Sequence, residues 1–271
     1  MYCNIQCTRC EPKVWAMTDL DDFWPPSPTA APRRRDQAPP EHARRHPALS
    51  RDEIVKAAVG LADAEGTGAV NMRRIARELD VGAMSLYWHV TDKDQLLDLM
   101  LDAVEGEDVP AGPSGDWRTD LVHIAKQKRR LLLRHPWVLD FISERTPLGP
   151  NALLQVERSL SVLDGSGLGT RAKLYVLTAV DTYVTGSVLN ELREVRAEQA
   201  RAKAGLTDID IAASMQAWWD RLDRSGMFVR VLRIFSEGID PDAAETRDDR
   251  FEFGLACLLD GVAARLPQAV A

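Results

Sequence analysis

The sequence predicts an all-α fold with two helical domains that follow an N-terminal extension. From Ser50 onward, apolar residues recur at three- and four-residue spacing, which is typical of amphipathic helices. No stretch shows the sustained two-residue alternation of a half-buried strand, and no Asn-Gly pair marks a tight hairpin. The chain of 271 residues is long enough for one or two domains with sizeable cores.

The first 49 residues differ in composition from the rest of the chain. They hold eight of the 15 prolines and two arginine clusters, at positions 33–35 and 44–45, with almost no large apolar residue after position 25. Such a segment cannot bury enough apolar surface to offset its ordering entropy, so we predict disorder. The arginines favour either a solvated tail or an arm that reaches DNA.

Three cysteines near the start, Cys3, Cys7 and Cys10, have the spacing of a radical-SAM iron–sulfur motif. That chemistry needs three thiolates on a loop that leads into a β/α barrel, and no barrel pattern follows. Two interpretations of this cluster stay open. One is a metal or redox role, and the other is that translation starts downstream, for example at Met17, so that the cluster is not part of the protein.

The first two helices of residues 50–110 are marked by capping residues. Ser50 and Glu53 have the spacing of a capping box, in which each side chain satisfies an otherwise unpaired amide. Gly66 is expected to end this helix. Asn71 is a good N-cap for a second helix, predicted over residues 72–79.

Two further short helices are predicted in the same domain. A tight turn at residues 80–82 leads to a third helix over residues 83–89. Thr91 is expected to cap a fourth helix, whose apolar stripe consists of Leu96, Leu97, Met100, Leu101 and Val104.

Two short helices joined by a three-residue turn and packed on another helix form a helix-turn-helix, whose second helix is placed to enter the major groove of DNA. The small internal core is expected to contain Ile75, Ala76, Leu79, Val81 and Leu86. A hydroxyl or a basic group can reach base edges or phosphates, and small apolar groups can touch a thymine methyl. The candidate DNA-binding residues are Arg73, Ala83, Met84, Ser85, Tyr87, Trp88, His89 and Lys93.

Residues 50–104 resemble the DNA-binding domain of the TetR family of transcriptional repressors. The resemblance is carried by the block Leu86-Tyr87-Trp88-His89-Val90, followed by Lys93. It implies that Arg73 contacts a base, Ser85 a base and a phosphate, and Tyr87, His89 and Lys93 phosphates, with Trp88 beside the backbone. Gly82, Ala83 and Met84 depart from the polar residues that read bases in the tetracycline-repressor subgroup, so its operator sequence is not transferred.

Residues 111–271 are predicted to form a helical C-terminal domain. Its helices are expected at about 117–134, 136–145, 150–164, 170–203, 208–224 and 250–266. Segments 172–191 and 251–266 are similar to the two helices that pair across the dimer in the tetracycline-repressor subgroup. The resemblance implies a homodimer and, with two reading heads, a palindromic double-stranded DNA operator.

The resemblance also implies that a small-molecule effector binds in the C-terminal domain. Candidate ligand-binding residues, which mix apolar walls with a few polar groups, are Trp137, Phe141, Tyr175, Thr178, Asp181, Thr182 and Trp218. For Trp218, packing in the core is the favoured alternative to lining the pocket. Asp181 could bind either the ligand or the side chain of an arginine. Relatives that bind their effector with magnesium use a histidine early in this domain, and residues 138–147 contain none. We therefore expect an aromatic or amphipathic ligand without a metal or another cofactor.

Composition restricts the remaining classes of function. The formal charge of −7 argues against non-specific binding to nucleic acids or membranes. No apolar run reaches the ~18–20 residues of a membrane span, and no signal peptide is evident, so a cytoplasmic protein without a membrane partner is expected. No nucleophile–base set, Walker loop, Rossmann glycine pattern or zinc spacing indicates an enzyme.

The expected function is a ligand-responsive transcriptional repressor. An activator or dual regulator on the same fold is an alternative. An enzyme that uses the N-terminal cysteine cluster is a second one.

Overall fold

The computed structural model describes residues 49–108, 112–142 and 148–266, and within these ranges the regular structure is entirely helical. The predicted all-α class is confirmed. The predictions for the proline-rich extension, its arginines and its cysteine cluster lie outside the described residues. The α-helices are α1 (Arg51–Glu65), α2 (Met72–Glu78), α3 (Ala83–Leu86), α4 (Lys93–Glu105), α5 (Trp117–Arg134), α6 (Pro150–Ser161), α7 (Thr170–Lys203), α8 (Asp208–Ser225), α9 (Val229–Ser236) and α10 (Arg247–Ala263).

The N-terminal ends of α1 and α2 are formed by the predicted caps. The Ser50 hydroxyl accepts a hydrogen bond from the Glu53 amide, and the Glu53 carboxylate accepts one from the Ser50 amide. The Asn71 side chain accepts a bond from the Arg74 amide at 3.0 Å. Gly66, with φ at +80°, ends α1 in a backbone conformation that favours glycine.

The prediction that Thr91 caps α4 is wrong by one residue. Asp92 is the N-cap, and its carboxylate accepts a hydrogen bond from the Gln95 amide at 2.8 Å. The Gln95 side chain reaches back and accepts a bond from the Thr91 amide. A carboxylate at this position also interacts favourably with the positive end of the helix dipole, which a hydroxyl does not.

Helix α3 is shorter than the predicted range of residues 83–89. The regular α-helix ends at Leu86, and residues 87–89 continue as a turn in which the amides of both His89 and Val90 donate to the Leu86 carbonyl. The preceding turn requires Asp80 at φ +53°, a left-handed conformation that aspartate tolerates better than most residues.

The core of the N-terminal domain lies where α1, α2, α3 and α4 meet. Ile75 and Leu86 are fully buried, so the inner side of the helix-turn-helix packs as predicted. Leu79 and Val81 are half-buried at its margin. The predicted apolar stripe of α4 is confirmed, because Leu96, Leu97, Met100, Leu101 and Val104 are all buried.

Helices α5 and α7 form the centre of the C-terminal domain, with α6 and α10 packed on α7. The buried apolar residues of α7 are Val180, Val184 and Val188, which belong to the same core as Phe251 and Leu255 of α10. Helix α4 packs against both α1 and α6, so it connects the two domains directly.

Three predicted helices of the C-terminal domain differ from the structure in their bounds. Residues 136–145 were expected to be α-helical, but Pro136–Phe141 form a 3₁₀ helix and residues 143–147 lie outside the described ranges. Helix α6 ends at Ser161 and α10 begins at Arg247. Helix α9, Val229–Ser236, was missed because eight residues rich in valine, isoleucine and phenylalanine resemble a strand as much as a helix.

Candidate DNA-binding surface and effector cavity

The second helix of the helix-turn-helix has a buried inner side and an exposed outer side. Leu86 is completely buried, whereas Met84 is 74% exposed, Trp88 67% and Tyr87 47%. Ser85 is exposed, and Ala83 and His89 are half-buried. Large apolar side chains that contribute nothing to the core are thus presented beside polar ones on one outer surface.

Basic residues flank this outer surface. Arg73 and Arg77 on α2 and Lys93 at the start of α4 are exposed, and none has an ion pair within the described part of the chain. Arg74 is different, because its guanidinium pairs with the Glu65 carboxylate of α1. The unpaired cations are therefore available to phosphates, while Arg74 stabilises the packing of α2 on α1.

The C-terminal end of α4 is bonded to the start of α6. The Asp102 carboxylate accepts hydrogen bonds from the amides of Asn151 and Ala152 at 2.9 and 3.0 Å, which caps α6 from another domain. Burial raises the pKa of Asp102, although these hydrogen bonds oppose the shift. Gly149 lies so close that a Cβ there would overlap the Asp102 carboxylate.

A second connection between the domains centres on the buried His135, at the end of α5. Its Nδ1 lies 2.7 Å from Asp63 of α1, and its Nε2 lies 3.0 Å from Glu107, which follows α4. The Trp137 indole also donates to Asp63, at 2.7 Å. Helices α1, α4 and α5 are held together by this group of four side chains.

A cavity of about 540 Å³ lies between the end of α4 and helices α5, α6 and α7. Most of its wall is apolar, from residues such as Leu131, Val138 and Val184. Three of the predicted ligand-binding residues line it: Phe141, Thr178 and Asp181. Such a mixture of apolar walls and a few polar groups is typical of small-molecule sites.

The other four predicted ligand-binding residues do not line this cavity. Tyr175 is 64% exposed, because its position in the helical turn directs it away from the cavity-lining side of α7 that carries Thr178 and Asp181. Thr182 is turned away for the same reason and borders a second, polar cavity between α7 and α10. Trp137 is drawn toward Asp63, and Trp218 lies on α8 against Trp219.

Two glutamines in the cavity wall, which were not predicted, bind the chain at the end of α4. The Gln155 amide of α6 donates to the carbonyls of Glu105 and Asp108 at 2.8 and 2.7 Å. The Gln127 amide of α5 donates to the same Asp108 carbonyl. In the sequence, each interrupts the apolar face of its helix, which is the signal that could have indicated them.

The wall of the cavity also includes an ion pair between Lys128 and Glu105, with 2.7 Å between Nζ and Oε1. Both side chains are largely removed from solvent. Among the described residues, no group of three or more His, Cys, Asp or Glu side chains could hold a metal ion. None of the described helices is both long and apolar enough to cross a membrane.

The outer faces of α7 and α10 expose apolar residues that no other part of the described chain covers. Tyr175 and Leu189 on α7 and Phe253 on α10 are each at least half exposed. Helices α8 and α9 contact chiefly each other, and none of their residues with a described side chain is buried. Trp219 of α8 and Phe235 of α9 are in tilted contact, with ring centroids 4.4 Å apart and an angle of 53° between the ring planes.

Comparisons with known proteins agree with this arrangement. The family described as "Bacterial regulatory proteins, tetR family" matches residues 54–100, and "Tetracyclin repressor-like, C-terminal domain" matches residues 109–266. The chain is 35% identical to the HTH-type transcriptional repressor DrrR1 of Streptomyces coeruleorubidus, over 82% of this chain and 80% of the relative. It is 41% identical to an HTH-type transcriptional regulator of Saccharopolyspora erythraea, over 63% of this chain and 72% of that protein.

The solved structures include a similar protein with a bound ligand. The TetR family protein ActR of Streptomyces coelicolor, in complex with actinorhodin, matches with a TM-score of 0.65 and 32% identity. The match covers 82% of this chain and 99% of ActR. Both domains are thus accounted for by one family, and the chain belongs to the TetR family of bacterial helix-turn-helix transcriptional regulators, with a tetracycline-repressor-like C-terminal domain.

Proposed function

We propose that this protein is a transcriptional repressor that binds a palindromic operator as a homodimer and is released from it by a small-molecule effector. The observation that carries the proposal is the two-sided helix α3. Its inner side is fixed by the buried Leu86, while Met84, Tyr87 and Trp88 face outward where no part of the described chain covers them. A helix held in this way can enter a major groove without rearrangement of the domain.

Each exposed residue has a separate proposed role on DNA. Tyr87, His89 and Lys93 contact phosphates, which fix the register of the protein on the duplex. Arg73 and Ser85 donate to base edges, and Ala83, Met84 and Trp88 supply apolar contact. Residues 50–104 contain six Lys and Arg against ten Asp and Glu. Because this balance is acidic, phosphate attraction alone gives weak binding, and the base contacts carry more of the affinity.

The homodimer is supported by the unpaired apolar faces of α7 and α10. Tyr175, Leu189 and Phe253 lie exposed on these two helices, and apolar surface of this kind is buried when two copies associate. A two-fold axis through the pair relates two α3 helices, so the two halves of the operator are inverted repeats.

The effector is proposed to occupy the cavity bordered by Phe141, Thr178 and Asp181. An apolar wall with a few polar groups suits an aromatic or amphipathic molecule, and ActR was solved with actinorhodin bound. The ligand changes DNA affinity only through a difference in its affinity for the two conformations of the dimer. Gln127 and Gln155 supply that difference here, because a ligand that binds their amides competes with the carbonyls at the end of α4.

Footprinting on the DNA that flanks the gene of this protein tests the proposal. The expected result is protection of an inverted repeat that disappears in Tyr87→Ala and is weakened in Lys93→Ala. The slope of the log of the binding constant against the log of salt concentration should flatten by about 0.9 per half-site in Lys93→Ala, because one phosphate is no longer neutralised. Absence of any protected site, with folded protein, would overturn the proposal.

The effector is tested separately by tryptophan fluorescence across a compound library. Trp137 is a suitable reporter, because its ring meets Phe141 of the cavity edge to face, with centroids 6.4 Å apart. Compounds that quench it should also release the protected DNA. A library in which quenching and release never coincide would contradict an effector at this cavity.

A further inference from the structure

The outer side of helix α3 lacks the side chains that read bases by paired hydrogen bonds. Residues 82–90 read Gly-Ala-Met-Ser-Leu-Tyr-Trp-His-Val and contain no Asn, Gln, Arg, Lys, Asp or Glu. Arginine and lysine on guanine, asparagine and glutamine on adenine, and acidic residues on cytosine are the usual specific pairs in the major groove. Along this segment, the side chain proposed to hydrogen-bond to a base edge is Ser85, whose hydroxyl can accept or donate and therefore discriminates weakly.

What the segment does present is apolar surface. Met84 and Trp88 are the most exposed large residues of the segment, at 74% and 67%. They are four residues apart, and the amides of His89 and Val90 extend the helical turn beyond Leu86, so both side chains lie on one side. Neither contributes to the buried core, whose residue from this helix is Leu86.

In the major groove, the C5 methyl group of thymine is the apolar group on a base edge. An apolar side chain that enters the groove therefore gains most at thymine, where contact with the methyl group removes both partners from water. The acidic balance of residues 50–104 increases the importance of such contacts, because phosphate attraction contributes less.

We propose that this protein selects its operator partly through thymine methyl groups, with Met84 and Trp88 as specificity-determining contacts beside the base contacts of Arg73 and Ser85. The proposal rests on the proposed function, in which α3 lies in the major groove. It extends to cytosine methylated at C5, because that methyl group occupies the same place in the groove. Methylation of a cytosine under Met84 or Trp88 is then expected to strengthen binding rather than block it.

The test uses operators recovered from a random duplex library by repeated binding to the full-length protein. Each thymine of a half-site is then replaced by deoxyuridine, which removes the methyl group and leaves every hydrogen-bonding group in place. We expect a loss of about fourfold in affinity at one or two thymines of each half-site, the value of one buried methyl group.

Variants assign the effect to its residues. The Met84→Ala variant should bind the operator with equal affinity whether one of these positions holds thymine or deoxyuridine. The Trp88→Ala variant should show the same loss of discrimination at another sensitive thymine. The matched control is Lys93→Ala, which should weaken thymine and deoxyuridine operators by the same factor. At a sensitive position, cytosine should bind more weakly than thymine, and 5-methylcytosine should recover part of the difference.

The outcomes separate this inference from the function on which it depends. If the library yields no bound duplex, the proposed function fails. If operators are recovered and wild-type protein binds every deoxyuridine version with unchanged affinity, readout of thymine methyl groups is overturned while DNA binding stands. Deoxyuridine sensitivity that persists unchanged in both Met84→Ala and Trp88→Ala would also overturn the assignment to these residues.

Discussion

The Asp102 carboxylate caps helix α6 at Asn151, although the two residues belong to different domains. Its Oδ1 lies 2.9 Å from the Asn151 amide nitrogen, and its Oδ2 accepts a bond from the Asn151 side chain at 3.0 Å. Helix α4 begins beside the proposed DNA-binding surface, and α6 borders the cavity proposed for the effector. This carboxylate therefore joins the helix that begins at the proposed DNA-binding surface to one wall of the cavity.

Replacement of Asp102 by alanine should lower the free energy of unfolding by about 1–2 kcal/mol, the usual effect of removing an N-terminal cap. Asp102→Asn should cost less, because an amide oxygen can still accept from the Asn151 and Ala152 amides. Urea denaturation followed by circular dichroism measures both. Glu157→Ala on the exposed side of α6 is the matched control, with a change below about 0.5 kcal/mol. Equal stability of Asp102→Ala and wild type would contradict the capping role.

Gly149 is required at the same junction for a steric reason. Its φ and ψ of −70° and 163° suit any residue, so alanine strains nothing in the backbone. Its Cβ, however, would overlap the Asp102 carboxylate and force α4 and α6 apart. Gly149→Ala should be less stable than wild type by about 1–3 kcal/mol, as overpacking usually costs.

The double variant shows whether the loss in Gly149→Ala comes from overlap with the Asp102 carboxylate or from an effect confined to position 149. In Gly149→Ala with Asp102→Ala, the carboxylate that meets the new methyl group is absent. The second substitution should therefore add little to the loss caused by the first, as measured by urea midpoints. Strictly additive losses would show that the two positions act independently.

The helix-turn-helix could be predicted from sequence because its signals are local. The caps at Ser50 and Asn71 are set by residues three positions away, and the burial of Leu86 follows from apolar spacing within a few turns. The cap of α4 was misplaced because Thr91 and Asp92 are adjacent and both are acceptable caps. Asp92 is the cap in the structure, where it follows the turn that ends α3.

The candidate effector cavity could be predicted only in part, because it depends on which face of each helix meets its neighbours. Helix α7 has apolar residues on more than one side, so its sequence does not fix which side meets α5. Tyr175 and Thr182 each lie one residue after a position that does line the cavity, Leu174 and Asp181. Gln127 and Gln155 interrupt the apolar face of their helices, but periodicity does not reveal their partners, which are backbone carbonyls at and after the end of α4.

Gln155→Leu should separate effector binding from effector response. Leucine is similar in size but cannot donate to the carbonyls of Glu105 and Asp108, so the chain at the end of α4 loses the two bonds from Gln155 and keeps those of Asp102 to α6. We expect the DNA affinity without effector to fall, and the ratio of DNA affinities without and with effector to shrink toward one. Operator titrations by fluorescence anisotropy, with and without a compound that quenches tryptophan, measure both quantities.

The matched control for Gln155→Leu is Ser159→Ala, which changes a polar residue of the same cavity wall one turn later. It should alter effector affinity without changing the ratio of DNA affinities. If Gln155→Leu only weakens effector binding and keeps the full ratio at saturation, the glutamine is a ligand contact and does not transmit the response.

Two acidic residues at the domain junction should affect stability in opposite directions as pH falls. Burial alone would raise the pKa of Glu107, but hydrogen bonds from His135 and Arg134 outweigh it and hold the pKa below the ordinary value of 4.5. The stability that Glu107 contributes is thus fully present above pH 4.5 and is lost as the pH falls through its lower value in the folded protein. For Asp102, burial raises the pKa above the ordinary 3.8, so the folded state takes up a proton before the unfolded state does.

The two substitutions should therefore change the acid limb of the stability profile in opposite ways. Glu107→Gln removes a contribution that acid abolishes, so the loss of unfolding free energy below pH 4.5 should become shallower. Asp102→Asn removes a carboxyl group that takes up a proton in the folded state above pH 3.8 and so favours that state. The free energy of unfolding should therefore fall more steeply on acidification. Urea midpoints at half-unit steps from pH 6 to pH 3 measure both slopes. Slopes that change in the same direction would contradict the opposite pKa shifts assigned to the two carboxyls.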